Sequence, residues 1–272
     1  MKRTKWVMAL LLAAGVLLGG MAAPAAAAEA PTLERIVKDG ILRVGMSGDQ
    51  PPLNMRDRSG KLMGMEVDLA EALAASLDVD LRIVQKPFGE LLPALEAGEI
   101  DVVLSGVSIT PKRAVDATFV GPYVLSGKSI LTKSSLLARA REAKDLDESD
   151  LKLVVLAGST SESFARKYLP KAQITAVKNY AEAVDMVRQD KADAMIADMP
   201  ACFLALLRFP HDGLETLTQP LTVEPVGMAV RANDPQFKNL LENYMTAFDK
   251  IGLLDRLYKK WFEDNSWVAA LP

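Results

Sequence analysis

Three short polar stretches stand where an apolar, strand-like run gives way to a helical pattern. The first is Ser105-Gly106-Val107-Ser108-Ile109-Thr110-Pro111-Lys112-Arg113. Thr110 is a good N-cap and Pro111 suits the first helical position, so the stretch predicts a helix with Arg113 in its first turn. A cation there opposes the helix dipole, which favours anions at that end. Two readings follow: an ordinary surface arginine on a capped helix, or a guanidinium converging with free N–H groups on a carboxylate. The second stretch is Ala157-Gly158-Ser159-Thr160-Ser161-Glu162. Ser159 and Glu162 fit the S-x-x-E capping box. A plain cap does not call for Gly158 and three consecutive hydroxyls, which suit a second grip on the same anion. The third, Met195-Ile196-Ala197-Asp198-Met199-Pro200, ends a strand on a carboxylate. Asp198 reads either as an N-cap or as an acceptor for an ammonium group. Asp193, in the turn before that strand, reads as structural.

The elements that must carry these groups alternate. Ile41–Gly45, Val79–Val84 and Asp101–Leu104 read as strands, with helices at Met65–Leu77 and Phe88–Ala97 between them. That β-α-β-α-β order predicts a parallel α/β sheet with sites at the strands' carboxyl ends. Phe119–Leu131 then runs extended, and Ser134–Asp150 is a polar surface connector. A second series follows: strands Leu153–Leu156, Ile174–Val177 and Ala194–Ile196, helices Ser161–Leu169, Tyr180–Gln189 and Pro200–Leu207. Val226–Val230 returns as a strand, and helices Pro235–Lys250 and Gly252–Phe262 close the chain. Two sheets are expected, with the chain crossing between them near Gly121–Gly127 and again near Gln219–Pro225. Two crossings make a hinge, and clefts between lobes are favoured ligand sites.

Composition narrows the chemistry. The net charge is −3 with acids and bases interspersed, and no basic stripe points to nucleic acid. The single cysteine, Cys202, lies in an apolar helical run and reads as a buried, inert thiol. The single histidine, His211, sits in the turn Pro210-His211-Asp212-Gly213. One of each, far apart, speaks against a zinc site, a Cys-His pair or a Ser-His-Asp triad. No cofactor or metal is expected. Lys2, Arg3 and Lys5, the apolar run Trp6–Met21 and the small residues Ala22–Ala28 have the layout of a secretory leader cleaved after Ala28. The mature chain is expected to be exported to the periplasm, without a membrane anchor.

Five motifs in order, Gly48-Asp49-Gln50-Pro51-Pro52-Leu53, Gly64-Met65-Glu66-Val67-Asp68-Leu69-Ala70, Asp101 through Arg113, Phe119-Val120-Gly121-Pro122-Tyr123 and Trp261-Phe262, carry a resemblance over essentially the whole mature chain. It resembles the family 3 periplasmic solute-binding proteins of ABC importers, in the branch that binds polar amino acids. The resemblance implies a type II-like fold of two α/β lobes joined by two hinge strands: a leader over 1–28, lobe 1 over 29–124 and 222–272, lobe 2 over 125–221. It implies that Arg113 grips a ligand's α-carboxylate, with Ser105, Ser108 and Thr160 adding hydrogen bonds and Asp198 accepting from the α-amino group. Gly106 and Ser159 fall in the same stretches. Gln50 and Leu53 stand where the family often has aromatics, Gly106 where serine is frequent, and Phe88 where tryptophan is frequent. The expected partners are a small amino acid or similar carboxylate and a membrane permease.

Exported cyclohexadienyl (arogenate/prephenate) dehydratases share this fold and the stretch Gly158–Ala197 resembles them too. They need a general acid, and the resemblance places their glutamate at Ala201, which donates no proton. A sensor input domain would continue into a membrane helix and kinase. The expectation is a binding protein, not an enzyme.

Overall fold

A computed structural model describes residues 32–146, 150–264 and 266–271. The leader expected over 1–28 lies outside them. The chain opens with helix α1 (Thr32–Asp39) and strand β1 (Ile41–Met46). A small antiparallel sheet follows, β2 (Asp49–Gln50), β3 (Asn54–Arg56) and β4 (Leu62–Met63). Helix α2 (Met65–Ser76), β5 (Asp80–Gln85), a 3-10 turn (Phe88–Glu90), α3 (Leu91–Glu96) and β6 (Val102–Val103) complete the first run. After a 3-10 turn at Arg113–Val115 come the long β7 (Ala117–Ser126) and β8 (Lys128–Thr132). The second run is β9 (Lys152–Leu156), α4 (Thr160–Tyr168), β10 (Gln173–Val177), α5 (Tyr180–Arg188), β11 (Ala194–Asp198), α6 (Met199–Arg208) and β12 (Glu215–Thr216). Strand β13 (Glu224–Arg231), α7 (Pro235–Lys250) and α8 (Leu253–Tyr258) return to the first part, and α8 passes into a π turn at Lys259–Glu263.

Two five-stranded sheets result, ordered β5-β1-β6-β13-β7 and β10-β9-β11-β8-β12. Each is parallel at one side, where β1 joins β5 and β6 and β9 joins β10 and β11. Each turns antiparallel where a crossing strand enters, β13 against β6 and β7, β8 against β11 and β12. The molecule is therefore a two-lobed α/β protein of the type II binding-protein architecture, its lobes connected by the two crossings. The three strands of the first series pair in parallel, as read, and the crossing strands β7 and β13 extend that sheet antiparallel. A strand returning from the other lobe has no helical crossover to reverse its direction.

The crossings lie side by side. Leu221 N–H donates to the Lys128 carbonyl at 2.7 Å and Lys128 N–H donates to Thr222 Oγ1 at 2.9 Å. Between them Gly127 has no room for a side chain, since a Cβ would overlap the Thr222 carbonyl.

Three groups of buried apolar side chains hold this arrangement. One lies between α2, α7 and the first sheet, with Leu42, Leu69, Met228 and Phe237 fully buried. One fills the second lobe around Ile130, Val155 and Ile196. The third contains side chains of both sheets, Val103 and Ala229 with Val154 and Met195, so one apolar cluster spans the lobes. Each large buried side chain contributes about 1.5–3 kcal/mol of transfer free energy. Among the described residues no helix is long and apolar enough to cross a membrane.

Several local expectations need amendment. The helix predicted after Thr110 is a single 3-10 turn, because β7 begins at Ala117 and leaves no length for more. Thr110 still acts like a cap, its Oγ1 accepting from Arg113 N–H at 3.2 Å. The helix read over Phe88–Ala97 is split; its α part starts at Leu91, which puts Pro93 in the first turn where a missing N–H costs nothing. The connector read as surface over Ser134–Asp150 buries Leu137 and Leu146, while residues 147–149 lie outside the described ones.

Candidate ligand site between the lobes

Arg113 reaches across the space between the sheets. Its Nη1 donates to the Ser108 carbonyl at 2.9 Å and its Nη2 to the Gly158 carbonyl at 3.2 Å, one from each lobe. The guanidinium carbon stands 5.6 Å from the centre of the Phe88 ring, a cation–π contact that shields one face. Burial pushes the Arg113 pKa down, against the pull of Glu224 and Asp198. A guanidinium has five N–H donors, and two carbonyls leave several for an anion.

Facing it is a cluster that sequence reading found only in part. Lys128, the first residue of β8, is 1% exposed and is among the largest fully buried side chains of the described residues. In the antiparallel β8–β11 register it lies opposite Asp198, and its Nζ forms an ion pair with that carboxylate. The same Nζ is 3.0 Å from Glu224 Oε2 on β13. Asp198 occupies the N-cap position of α6, yet its side chain makes no capping hydrogen bond. The carboxylate goes to Lys128 instead, which removes the capping reading.

Glu224 Oε2 gathers further donors: Ser108 Oγ at 2.7 Å and Thr160 Oγ1 at 2.7 Å. Burial pushes the Glu224 carboxyl up, but Lys128 and the two hydroxyls outweigh it and hold it below the ordinary glutamate range. A carboxylate from the second crossing thus already receives the hydroxyls of Ser108 and Thr160. Tyr180, at the start of α5, completes the group: burial and the charges of Asp198 and Asp49 push its phenol well above its usual range. Its backbone N–H donates to Asp49 Oδ2 at 3.3 Å, another contact between the lobes.

The other expected site residues fall into two sets. Gln50, Leu53 and Gly106 come together beside Ser108. A Cβ on Gly106 would stand 3.2 Å from Gln50 Oε1 and 3.3 Å from Leu53 Cδ1, so glycine there lets Gln50 approach the turn. Gly106 N–H donates to the buried Glu66 at 2.7 Å, and Glu66 also accepts from Asn54 and Tyr123, which pins the turn to β3 and β7. Ser105 and Ser159 are placed otherwise. Ser105 Oγ is fully buried between the Ser47 N–H, at 2.9 Å, and the Ser47 hydroxyl, at 3.0 Å. Ser159 caps α4, accepting from Glu162 N–H at 3.1 Å and donating to the Leu156 carbonyl at 2.6 Å. Both hydroxyls are spent on backbone geometry.

Lys128 and Glu224 escaped the sequence reading. The available signal was a charged residue at each chain crossing, a lysine leading an apolar strand and a glutamate opening β13. Only the register of β8 against β11 makes the lysine a partner of Asp198.

A two-lobed α/β fold with charged groups of both signs lining the space between its lobes is the architecture of the solute-binding protein family. The chain belongs to the bacterial extracellular solute-binding proteins, family 3, whose model matches residues 42–264. It is 30% identical to a cyclohexadienyl dehydratase of Pseudomonas aeruginosa, over 89% of this chain and 90% of that one. It is 27% identical to an L-cystine-binding protein of Escherichia coli, over 94% and 93%. Among solved structures, an ancestral amino-acid-binding protein described as a precursor of cyclohexadienyl dehydratase matches with 37% identity and a TM-score of 0.77, covering 85% of this chain and 99% of that one. A binding component of an ABC transporter from Wolinella succinogenes, complexed with lysine, matches with 35% identity and a TM-score of 0.78 over the same shares.

Proposed function

We propose that the protein captures an amino acid or a close relative of one between its lobes, in the periplasm, and presents it to the permease of an ABC importer. The lobes are taken as 29–124 with 222–272, and 125–221, after a leader over 1–28. The observation that carries this reading is Arg113, held by a carbonyl of each lobe and facing the acids Asp198 and Glu224. Two carboxylates around one lysine leave an acid charge in excess, which suits an α-ammonium. The guanidinium suits the α-carboxylate. A ligand that touches both lobes shifts their open–closed population by its differential affinity, and the closed form is what a permease recognises.

Relatives whose names give cystine, histidine or glutamine as ligand support the amino-acid class. A thermal-shift screen over the amino acids and related carboxylates tests it, since a ligand that binds only the folded chain raises the melting temperature. In the same assay Arg113→Ala is expected to abolish the shift. By calorimetry its affinity loss corresponds to at least about 1.5–3 kcal/mol, a hydrogen bond to a charged group. No shift with any amino acid, or an unchanged Arg113→Ala, overturns the reading.

The similarity to a cyclohexadienyl dehydratase favours a second reading, an exported enzyme of that kind. Against it, Ala201 offers no proton where the resemblance puts the general acid, and Glu224 is held ionised at neutral pH. Incubating the protein with prephenate or arogenate and following aromatic product decides between the two.

A further inference from the structure

The two hydroxyls expected to hold a ligand's carboxylate are both turned to a carboxylate of the chain. Ser108 Oγ and Thr160 Oγ1, one in each lobe and 3.4 Å apart, each donate to Glu224 Oε2 at 2.7 Å. The Lys128 ammonium stands 3.0 Å from the same oxygen, and Thr222 Oγ1 donates to Oε1 at 3.3 Å. Burial lowers the Arg113 pKa, and of the two acids that pull it back Glu224 is the stronger. Glu224 thus draws on the donor set, a guanidinium and two hydroxyls, that a bound carboxylate needs. Backbone pairing puts it there. Ile109 N–H donates to the Pro225 carbonyl at 2.7 Å and Gly227 N–H to the Val107 carbonyl at 3.1 Å, so the Ser108 turn runs beside the start of β13. Thr160 arrives from the other lobe as the first residue of α4.

A hydroxyl has one proton to donate, so each of these two serves Glu224 or a ligand, not both. Glu224 moved off them keeps its charge, and a second carboxylate set beside it is repelled at close range. Lys128 cannot absorb the difference, because it already pairs with Asp198. A ligand that carries a carboxylate alone therefore meets both a competitor and a like charge. A ligand whose carboxylate comes with an ammonium brings the missing counter-charge.

We propose that Glu224 is an internal stand-in for the ligand's carboxylate and makes binding conditional on an α-ammonium: the entering carboxylate takes over Ser108 and Thr160, and the ammonium beside it offsets the displaced Glu224. The proposal rests on the amino-acid reading above. It gives the two acids separable parts. Asp198 bonds Lys128 and competes for neither hydroxyl, since the proton of each goes to Glu224. Losing Asp198 weakens the hold on an ammonium. Losing Glu224 also frees the carboxylate's place.

Calorimetry tests it by pairing each amino acid with the analogue that lacks only its α-amino group: lysine with ε-aminocaproate, histidine with imidazolepropionate, glutamine with glutaramate. For any other amino acid that raises the melting temperature, the partner is the acid with hydrogen in place of the α-amino group. Glu224→Gln is expected to bind the analogue about 10-fold tighter than wild type does, the span of a hydrogen bond to a charged group, and to lose much of the preference for the amino acid. A glutamate with a merely structural part would weaken both ligands on replacement. Glu224→Asp, still charged but a methylene short of the two hydroxyls, is expected to shift the analogue the same way by less, and it serves should the Gln variant not fold. Asp198→Asn is expected to weaken the amino acid with no gain for the analogue. An analogue that binds the Glu224 variants no better than wild type, or that gains as much in Asp198→Asn, overturns the proposal and leaves the amino-acid reading standing. If no amino acid binds wild type, the amino-acid reading itself falls and takes this one with it.

Discussion

Lys128 and Asp198 are cross-strand partners whose side chains close an ion pair inside the protein, on the wall of the space between the lobes. A sheet register, not proximity in the chain, brings them together. The pair also explains why Asp198 leaves α6 uncapped.

Removing Lys128 leaves two acids buried without their cation. Lys128→Met is expected to destabilise the protein by about 3–5 kcal/mol, the usual result of breaking one side of a buried pair. Adding Asp198→Asn should recover part of that loss, because one orphaned charge is removed with it. Denaturant melts of the two single variants and the double variant measure the coupling. A Lys128→Met protein as stable as wild type would show that the pair is hydrated.

Glu224 predicts an acid limb in the stability curve. Its folded-state pKa lies below the ordinary glutamate value of 4.5. The stability it contributes is therefore complete above that value and is lost as pH falls through the lower, folded one. Glu66 and Asp49 are shifted upward by burial and act in the opposite sense, favouring the fold as they protonate. Subtracting the Glu224→Gln curve from that of wild type isolates the first effect. The difference should shrink below pH 4.5 and stay flat above it. A difference independent of pH would mean that Glu224 is not charged in the folded protein.

Cys202 should be unreactive until the protein unfolds. It is fully buried and burial pushes its thiol pKa up to about 12, so almost no thiolate exists at pH 8. Iodoacetamide is expected to label it only in denaturant. Rapid labelling under native conditions would require α6 to open.

Gly127→Ala should lower the melting temperature, because the new methyl group meets the Thr222 backbone and not a side chain that could swing aside. Overpacking of this kind costs about 1–3 kcal/mol. Calorimetric melting checks it, and an unchanged transition would mean that the two crossings have room to separate.

Much of the architecture was legible because it is periodic. The stripes on α2 and α7 and the apolar runs of β1, β9 and β11 mark themselves. Arg113 and Asp198 could be singled out because each sits at a strand end among groups that local structure does not fully employ. Pieces fixed by distant contacts were not legible. The two- and three-residue strands β2 to β4 have no period to detect. Ser105 and Ser159 look like ligand donors in a motif, but their hydroxyls are consumed by Ser47 and by the start of α4. Lys128 and Glu224 gain partners only when β8 pairs with β11 and β13 enters the first sheet.

The pairing of the two crossings through Leu221, Lys128 and Thr222 restricts how the halves can move. A single connecting strand would let them swivel independently about its length. Two strands tied edge to edge resist torsion and leave bending across their common plane, as a book's spine does. The approach of Arg113 to Gly158 and of Asp49 to Tyr180 is then one coordinate. Probes placed at the two ends of the cleft should follow a single relaxation with the same rate.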